Sequence, residues 1–142
     1  MNLQLKIWLN HMTKSNTVNL TIAFGAFNAF IAVGAGAFAA HGLKDVLTAE
    51  YLAVFKTAAD YQMLHGVSLI LIGLLNKQNA SRYTTASALF MLAGIILFSG
   101  SLYILAISGI KWLGLITPVG GVCFLLAWLI LSFNYFRNRL CE

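Results

Sequence analysis

The chain alternates long apolar runs with short polar breaks. Uncharged stretches lie between Lys14 and Lys44, Asp60 and Lys77, Arg82 and Lys111, and Lys111 and Arg137. A helix needs about 20 mainly apolar residues to cross a hydrocarbon core. The runs therefore predict spanning helices near 18–41, 60–76, 84–108 and 113–136. The second is the shortest and begins in the interface with Tyr61 and Gln62. The first ends near AFAA (37–40), which imitates a signal-peptide cleavage site, but it far exceeds the roughly 7–15 apolar residues of a signal core. It reads as a spanning helix.

Between the first two spans lies a segment of a different period. At about 100° per residue, Leu47, Tyr51, Leu52, Val54, Phe55, Ala58 and Ala59 gather on one arc, with Asp45, Glu50, Lys56, Thr57 and Asp60 on the other. That pattern predicts an interfacial amphipathic helix over 47–59 on the outer leaflet. Thr48 is its N-cap and Glu50 favours its first turn. NKQNASRY (76–83) reads as a short polar turn. The fold class is thus all-α: an integral membrane four-transmembrane-helix bundle with one interfacial helix between spans one and two. Residues 1–16 form a cytoplasmic or interfacial extension carrying Leu3, Leu5, Ile7, Trp8 and Leu9, and 17–142 form a single transmembrane domain.

Composition agrees: 60% of residues are hydrophobic and 9% charged, against roughly 25% charged in soluble domains. Mean hydropathy is +0.83. The net charge of +5 is dispersed over short breaks, whereas nucleic-acid binding needs a contiguous phosphate-neutralising patch; nucleic acid is excluded as a partner. Topology accounts for the charge instead. With the N-terminus inside, Lys6, Lys14, Lys77, Arg82, Arg137 and Arg139 are cytoplasmic, and only Lys44, Lys56 and Lys111 lie outside. The positive-inside rule favours both termini in the cytoplasm.

Polar residues within the spans are the candidate site, because they are expensive in lipid and face protein or water. Span one carries Asn28 at mid-depth and His41 at its outer end. Span two carries Tyr61, Gln62, His65 and Ser68; span three carries Ser99, Ser101, Tyr103 and Ser108; span four opens with Thr117 and Pro118. These converge on the outer half. Thr57, Tyr61, His65 and Ser68 form one helical stripe, expected to turn inward towards Ser99–Tyr103 and the Thr117–Pro118 turn. For each residue a plain role stands beside a sharper one. Tyr61 and Trp112 suit interface anchoring, Gln62, His65, Asn28 and the serines suit interhelical hydrogen bonding, and His41 suits a helix C-terminus. The sharper readings are a vestibule, or haem or metal ligation by His41, His65 and Met63.

Small residues predict packing. Ala32, Gly36 and Ala40 form a small-xxx-small ridge, with Gly34 one residue off it, and TPVGG (117–121) sets Pro118, Gly120 and Gly121 at a helix start. Cys123 and Cys141 have no ligand spacing. No hydrolase, kinase, P-loop or zincin motif occurs, no catalytic residue or cofactor is assigned, and no acidic residue lies in the spans inward of Asp60 to drive ion-coupled transport.

Four stretches in order, GAFAAHGL (36–43), FKTAADYQMLHG (55–66), GSLYIL (100–105) and GLITPVGGVCFLLAW (114–128), resemble the YgdD-like small inner-membrane proteins. This is the domain of unknown function 423 family, with transmembrane protein 256 as an animal relative. The resemblance covers roughly 18–136. It implies a four-helix protein of bacterial inner membranes, with recurrent positions at His41, Tyr61, Gln62, His65, Ser101, Tyr103, Thr117 and Pro118, and it brings no activity, substrate or cofactor. Ala39 stands where the family has glycine, and HGVSL departs from the alanine and leucine usual after the histidine. The chain supports three readings: a non-enzymatic accessory or assembly component, as a homo-oligomer or with a membrane-protein partner in the bilayer; a small channel or carrier; or a His-ligated redox protein.

Overall fold

The computed structural model describes the backbone of residues 3–78 and 80–139 and the side chains of residues 16–78 and 80–137. The described residues form α1 (Leu3–His41), α2 (Ala49–Gln78), α3 (Arg82–Gly94), a π-helical turn (Ile95–Ser99), α4 (Gly100–Ser108), a 3₁₀ turn (Lys111–Leu115) and α5 (Thr117–Arg139). Four stretches are long and apolar enough to cross a membrane: Asn16–His41, Ala49–Gln78, Arg82–Ser108 and Lys111–Arg137. The surface position expected for the N-terminal extension rests on side chains outside the described residues, as does Cys141.

The interfacial segment is not a separate element. Residues 49–78 form one uninterrupted helix of 30 residues, about 45 Å long at 1.5 Å per residue and well beyond a hydrocarbon core of about 30 Å. Thr48 Oγ1 accepts the Tyr51 amide at 3.4 Å and caps its start. No proline breaks the run at Asp60. Its apolar arc is covered by protein: Phe55 packs in a cluster with Ala39, Leu43 and Ala106, flanked by Leu47, Tyr51, Leu52, Val54 and Tyr103. Protein contacts replace the lipid surface that the pattern suggested.

Helices α1 and α2 pack antiparallel with their backbones touching. A Cβ on Gly25 would stand 2.7 Å from the Gly66 carbonyl oxygen and 2.8 Å from the Ile70 amide nitrogen; one on Gly66 would stand 3.1 Å from the Ala29 amide nitrogen; one on Gly73 would stand 2.6 Å from Ile22 Cγ1. The period of this contact is seven. Val18, Gly25, Ala32 and Ala39 are buried on α1, and Phe55, Ala59, Gln62, Gly66, Leu69, Gly73 and Asn76 on α2, alternating steps of four and three. That repeat keeps one seam facing the partner, as in a coiled coil.

The Ala32–Gly36–Ala40 ridge is not the α1–α2 contact. Ala32 is in the seam, but Ala40 is exposed, and nothing lies within 4 Å of a Cβ on Gly34 or Gly36. Each four-residue step overshoots a turn by about 40°, whereas a seven-residue step falls short by about 20°. The ridge winds off the contact.

The third span is an α–π–α helix. One extra residue in the turn rotates the remainder of the span by about 100°. Within this turn, the Phe98 backbone lies against Gly120 of α5, where an added Cβ would meet Phe98 Cα at 2.8 Å, and a Cβ on Gly121 would stand 3.9 Å from the Phe98 ring; Pro118 is exposed in the first turns of α5. The span ends at Gly109, whose φ of 70° is left-handed and favours glycine. The second apolar cluster joins α2, α3 and α5 through Leu69, Ile72, Ala88, Met91, Ile95, Phe124 and Ala127.

Gly25→Leu and Gly120→Leu should each destabilise the fold by about 1–3 kcal/mol or more, because backbone rather than a flexible side chain meets the new atoms. Gly36→Ala should stay within about 0.5 kcal/mol of wild type. Denaturation in detergent followed by circular dichroism checks all three, and equal losses would refute the seven-residue seam.

Candidate functional site

The Gly25–Gly66 contact brings Asn28 of α1 to Gln62 of α2. Gln62 Nε2 donates to Asn28 Oδ1 at 3.0 Å, Asn28 Nδ2 donates to the Phe24 carbonyl at 2.8 Å, and Tyr103 Oη donates to Gln62 Oε1 at 2.8 Å. A directed chain of hydrogen bonds thus runs from the third span through the second into the first. Gln62 is 6% exposed, so this is interhelical hydrogen bonding in a dry setting. The Tyr103 ring is held edge-on to Phe55, with centroids 4.7 Å apart.

The predicted stripe does not act as a unit. Thr57 and Tyr61 are exposed while His65 and Ser68 are buried. His65 Nδ1 donates to the Tyr61 carbonyl at 2.7 Å, and Ser68 Oγ donates to the Leu64 carbonyl at 2.8 Å. Instead of meeting Ser99–Tyr103, the His65 ring stacks on Phe124 of α5, with centroids 3.5 Å apart and an angle of 12°. Tyr61 stacks on Phe98 at 4.4 Å. With Pro118, Gly121 and Trp128 these rings line a groove of about 470 Å³ between α2 and α5. As a neutral imidazole, His65 uses its proton on the Tyr61 carbonyl and leaves Nε2 as an acceptor.

The remaining predicted residues are dispersed. Ser101 Oγ lies 2.8 Å from Thr117 Oγ1 and donates to the Phe98 carbonyl at 3.0 Å, tying α4 to α5. Ser99 Oγ is the one buried side-chain oxygen or nitrogen among the described residues without a hydrogen-bond partner; it closes the π-helical turn. Ser108 Oγ donates to the Ile104 carbonyl at 2.6 Å. His41 is exposed at the end of α1, thirteen residues past Asn28, or roughly 20 Å along the axis from the level of His65. Met63 is half-buried on another face. Among the described residues, no three His, Cys, Asp or Glu side chains gather.

A second polar cluster stands at the opposite end, where the sequence pattern placed none. Asn76 Oδ1 accepts Thr84 Oγ1 at 2.8 Å and the Ser81 amide at 3.3 Å. Ser81 Oγ donates to Asn134 Oδ1 at 3.0 Å, and Ser87 Oγ donates to the Ala127 carbonyl at 2.8 Å. Ser81 is also the N-cap of α3, with Thr84 completing a capping box. The legible signal was Ser81-x-x-Thr84, a variant of the usual box with Glu or Gln at its last position, together with a polar residue near the end of each adjacent span. Buried polar groups therefore stand towards both ends of the bundle, and not only at the Gln62 end.

Four apolar helices with polar groups spent on one another define a polytopic α-helical membrane protein. The chain belongs to the family described as "Protein of unknown function (DUF423)", whose model matches residues 35–121. It is 47% identical over 120 residues to a UPF0382 membrane protein of Staphylococcus aureus (strain bovine RF122 / ET3-1), covering 84% of this chain and 98% of that protein. It is 45% identical over 111 residues to the UPF0382 membrane protein YwdK of Bacillus subtilis (strain 168), covering 78% and 90%. No solved structure matches it. The matched stretch runs from the last turns of α1 into α5. It contains Gln62, His65, Tyr103 and Thr117 but not Asn28.

In a double-mutant cycle, Gln62→Leu and Tyr103→Phe should couple by about 0.5–1.5 kcal/mol, the range of interhelical hydrogen bonds in membranes. Detergent unfolding of the four proteins measures this. Additive losses would show that the Tyr103–Gln62 bond contributes nothing.

Proposed function

We propose that the protein is a non-enzymatic accessory or assembly component of a bacterial cytoplasmic membrane, presenting α1 to a second copy or to another membrane protein. The observation that carries this reading is the one-sidedness of α1. It packs substantially on α2 alone, while Phe24, Phe27, Phe30, Val33 and Phe38 are exposed and Gly34 and Gly36 stand open between them. Small residues among large ones let a further helix approach closely. The outer polar groups support the same reading, since Tyr103, Gln62 and Asn28 bond one another. The vestibule and the two-histidine ligand site draw no support from this arrangement.

Charge supports the orientation. Lys77, Arg82 and Arg137 stand at the end shared by the α2–α3 turn and the end of α5, and Lys44, Lys56 and Lys111 at the other. With Lys6, Lys14 and Arg139 the first end holds the majority and faces the cytoplasm.

Gly36→Leu should leave thermal unfolding within about 0.5 kcal/mol of wild type and abolish a higher-mass species or a co-purifying protein in mild detergent. A wild-type protein that is strictly monomeric and partner-free by light scattering and pull-down overturns the assembly reading. Reporter fusions after Gln78 and after Gly109 should give cytoplasmic and external signals respectively.

A further inference from the structure

Where α2 turns into α3, two cations converge on one phenol. Arg82 Nη2 donates to Tyr83 Oη at 2.9 Å, and Arg137 Nη1 donates to the same oxygen at 3.1 Å. Their guanidinium carbons stand 4.9 Å and 4.6 Å from the Tyr83 ring centroid. The ring is held edge-on against Phe133 of α5, with centroids 5.9 Å apart. The neutral phenol positions both cations through its oxygen and its ring face, but it neutralises neither.

Among the described residues no carboxylate is at hand to do so. The acidic side chains among the described residues are Asp45, Glu50 and Asp60. All precede the buried half of α2, and Asp60 is already sixteen residues, roughly 24 Å of helix, from Asn76. Each guanidinium has five N–H donors, and Tyr83 accepts one from each. Two like charges at an interface of reduced dielectric repel each other unless an anion joins them. Arg82 opens the third spanning stretch and Arg137 closes the fourth, so both stand at the same membrane surface, at the level of lipid phosphates. Beside Arg82 is a cleft of about 300 Å³ lined also by Asn76, Ser81 and Thr85, polar side chains suited to headgroup hydroxyls.

We propose that Arg82 and Arg137, positioned by Tyr83, clamp the phosphodiester of an anionic glycerophospholipid, with its polar headgroup in the cleft beside Arg82. Planar guanidiniums bind phosphate oxygens bidentately, which an ammonium does not. The site is independent of the assembly face on α1.

The full-length protein in mild detergent is loaded with phosphatidylglycerol or phosphatidylcholine, and retained lipid is read by native mass spectrometry. Phosphatidylglycerol should be retained about tenfold more strongly, as expected for two interfacial arginines. The double variant R82Q/R137Q, which removes both charges, should fall to within about twofold of phosphatidylcholine, and R82K/R137K, which keeps the charges but loses the planar fork, should lie between. Tyr83→Phe should also lie between, and Lys111→Gln, at the other end, should match wild type. Equal retention of the two lipids, or wild-type preference in R82Q/R137Q, overturns the clamp. Displacement of the lipid by millimolar inorganic phosphate would reassign the site to a free anion and overturn the lipid. If R82Q/R137Q fails to fold, as judged by helical signal and melting, the wild-type lipid comparison with phosphate competition is decisive alone.

Discussion

The bundle is built outward from the approach of α1 and α2 at Gly25 and Gly66. With no side chain at either position the backbones meet, so that a Cβ on Gly25 would stand 2.7 Å from the Gly66 carbonyl oxygen, too close for any larger residue without a shift. In a bilayer the hydrophobic effect does not drive helices together, because lipid tails are as apolar as leucine. Close packing and buried hydrogen bonds must do so. The glycine contact supplies the first and makes the second available, since only at that separation does Gln62 reach Asn28 at 3.0 Å.

From that seam the polar groups are satisfied in layers. One layer passes hydrogen bonds from Tyr103 to Gln62 to Asn28 and ends on a backbone carbonyl. The opposite layer ties α2, α3 and α5 through Asn76, Thr84, Ser81 and Asn134. Between them lies the apolar cluster around Leu69, Met91 and Phe124. The π-helical turn stands at this level, and there Phe98 stacks on Tyr61 and Ser99 keeps an unpaired hydroxyl. Irregular backbone of this kind is tolerated in a membrane only where protein buries it.

The surfaces left open differ in chemistry. The outer face of α1 is aromatic and glycine-rich, the α2–α5 groove is aromatic around one imidazole, and the α2–α3 turn is cationic. Membership of a family without an assigned function leaves these three surfaces as the guide to what the protein does.

Class, the four spans and most of the polar inventory were legible in the sequence, because length, hydropathy and charge placement are one-dimensional quantities. The chain also held the seven-residue seam of Val18, Gly25, Ala32 and Ala39, a pattern masked by the more familiar four-residue ridge beside it. Which polar groups turn inward was not legible. Ser68 points almost the same way around α2 as Thr57 and Tyr61, yet it is buried and they are exposed. What separates them is depth along the helix, and so which neighbour stands opposite. His65 meeting Phe124 and the continuity of α2 through Asp60 have the same origin. Periodicity sets direction around a helix axis, and the packing of helices in three dimensions sets what occupies that direction at each level.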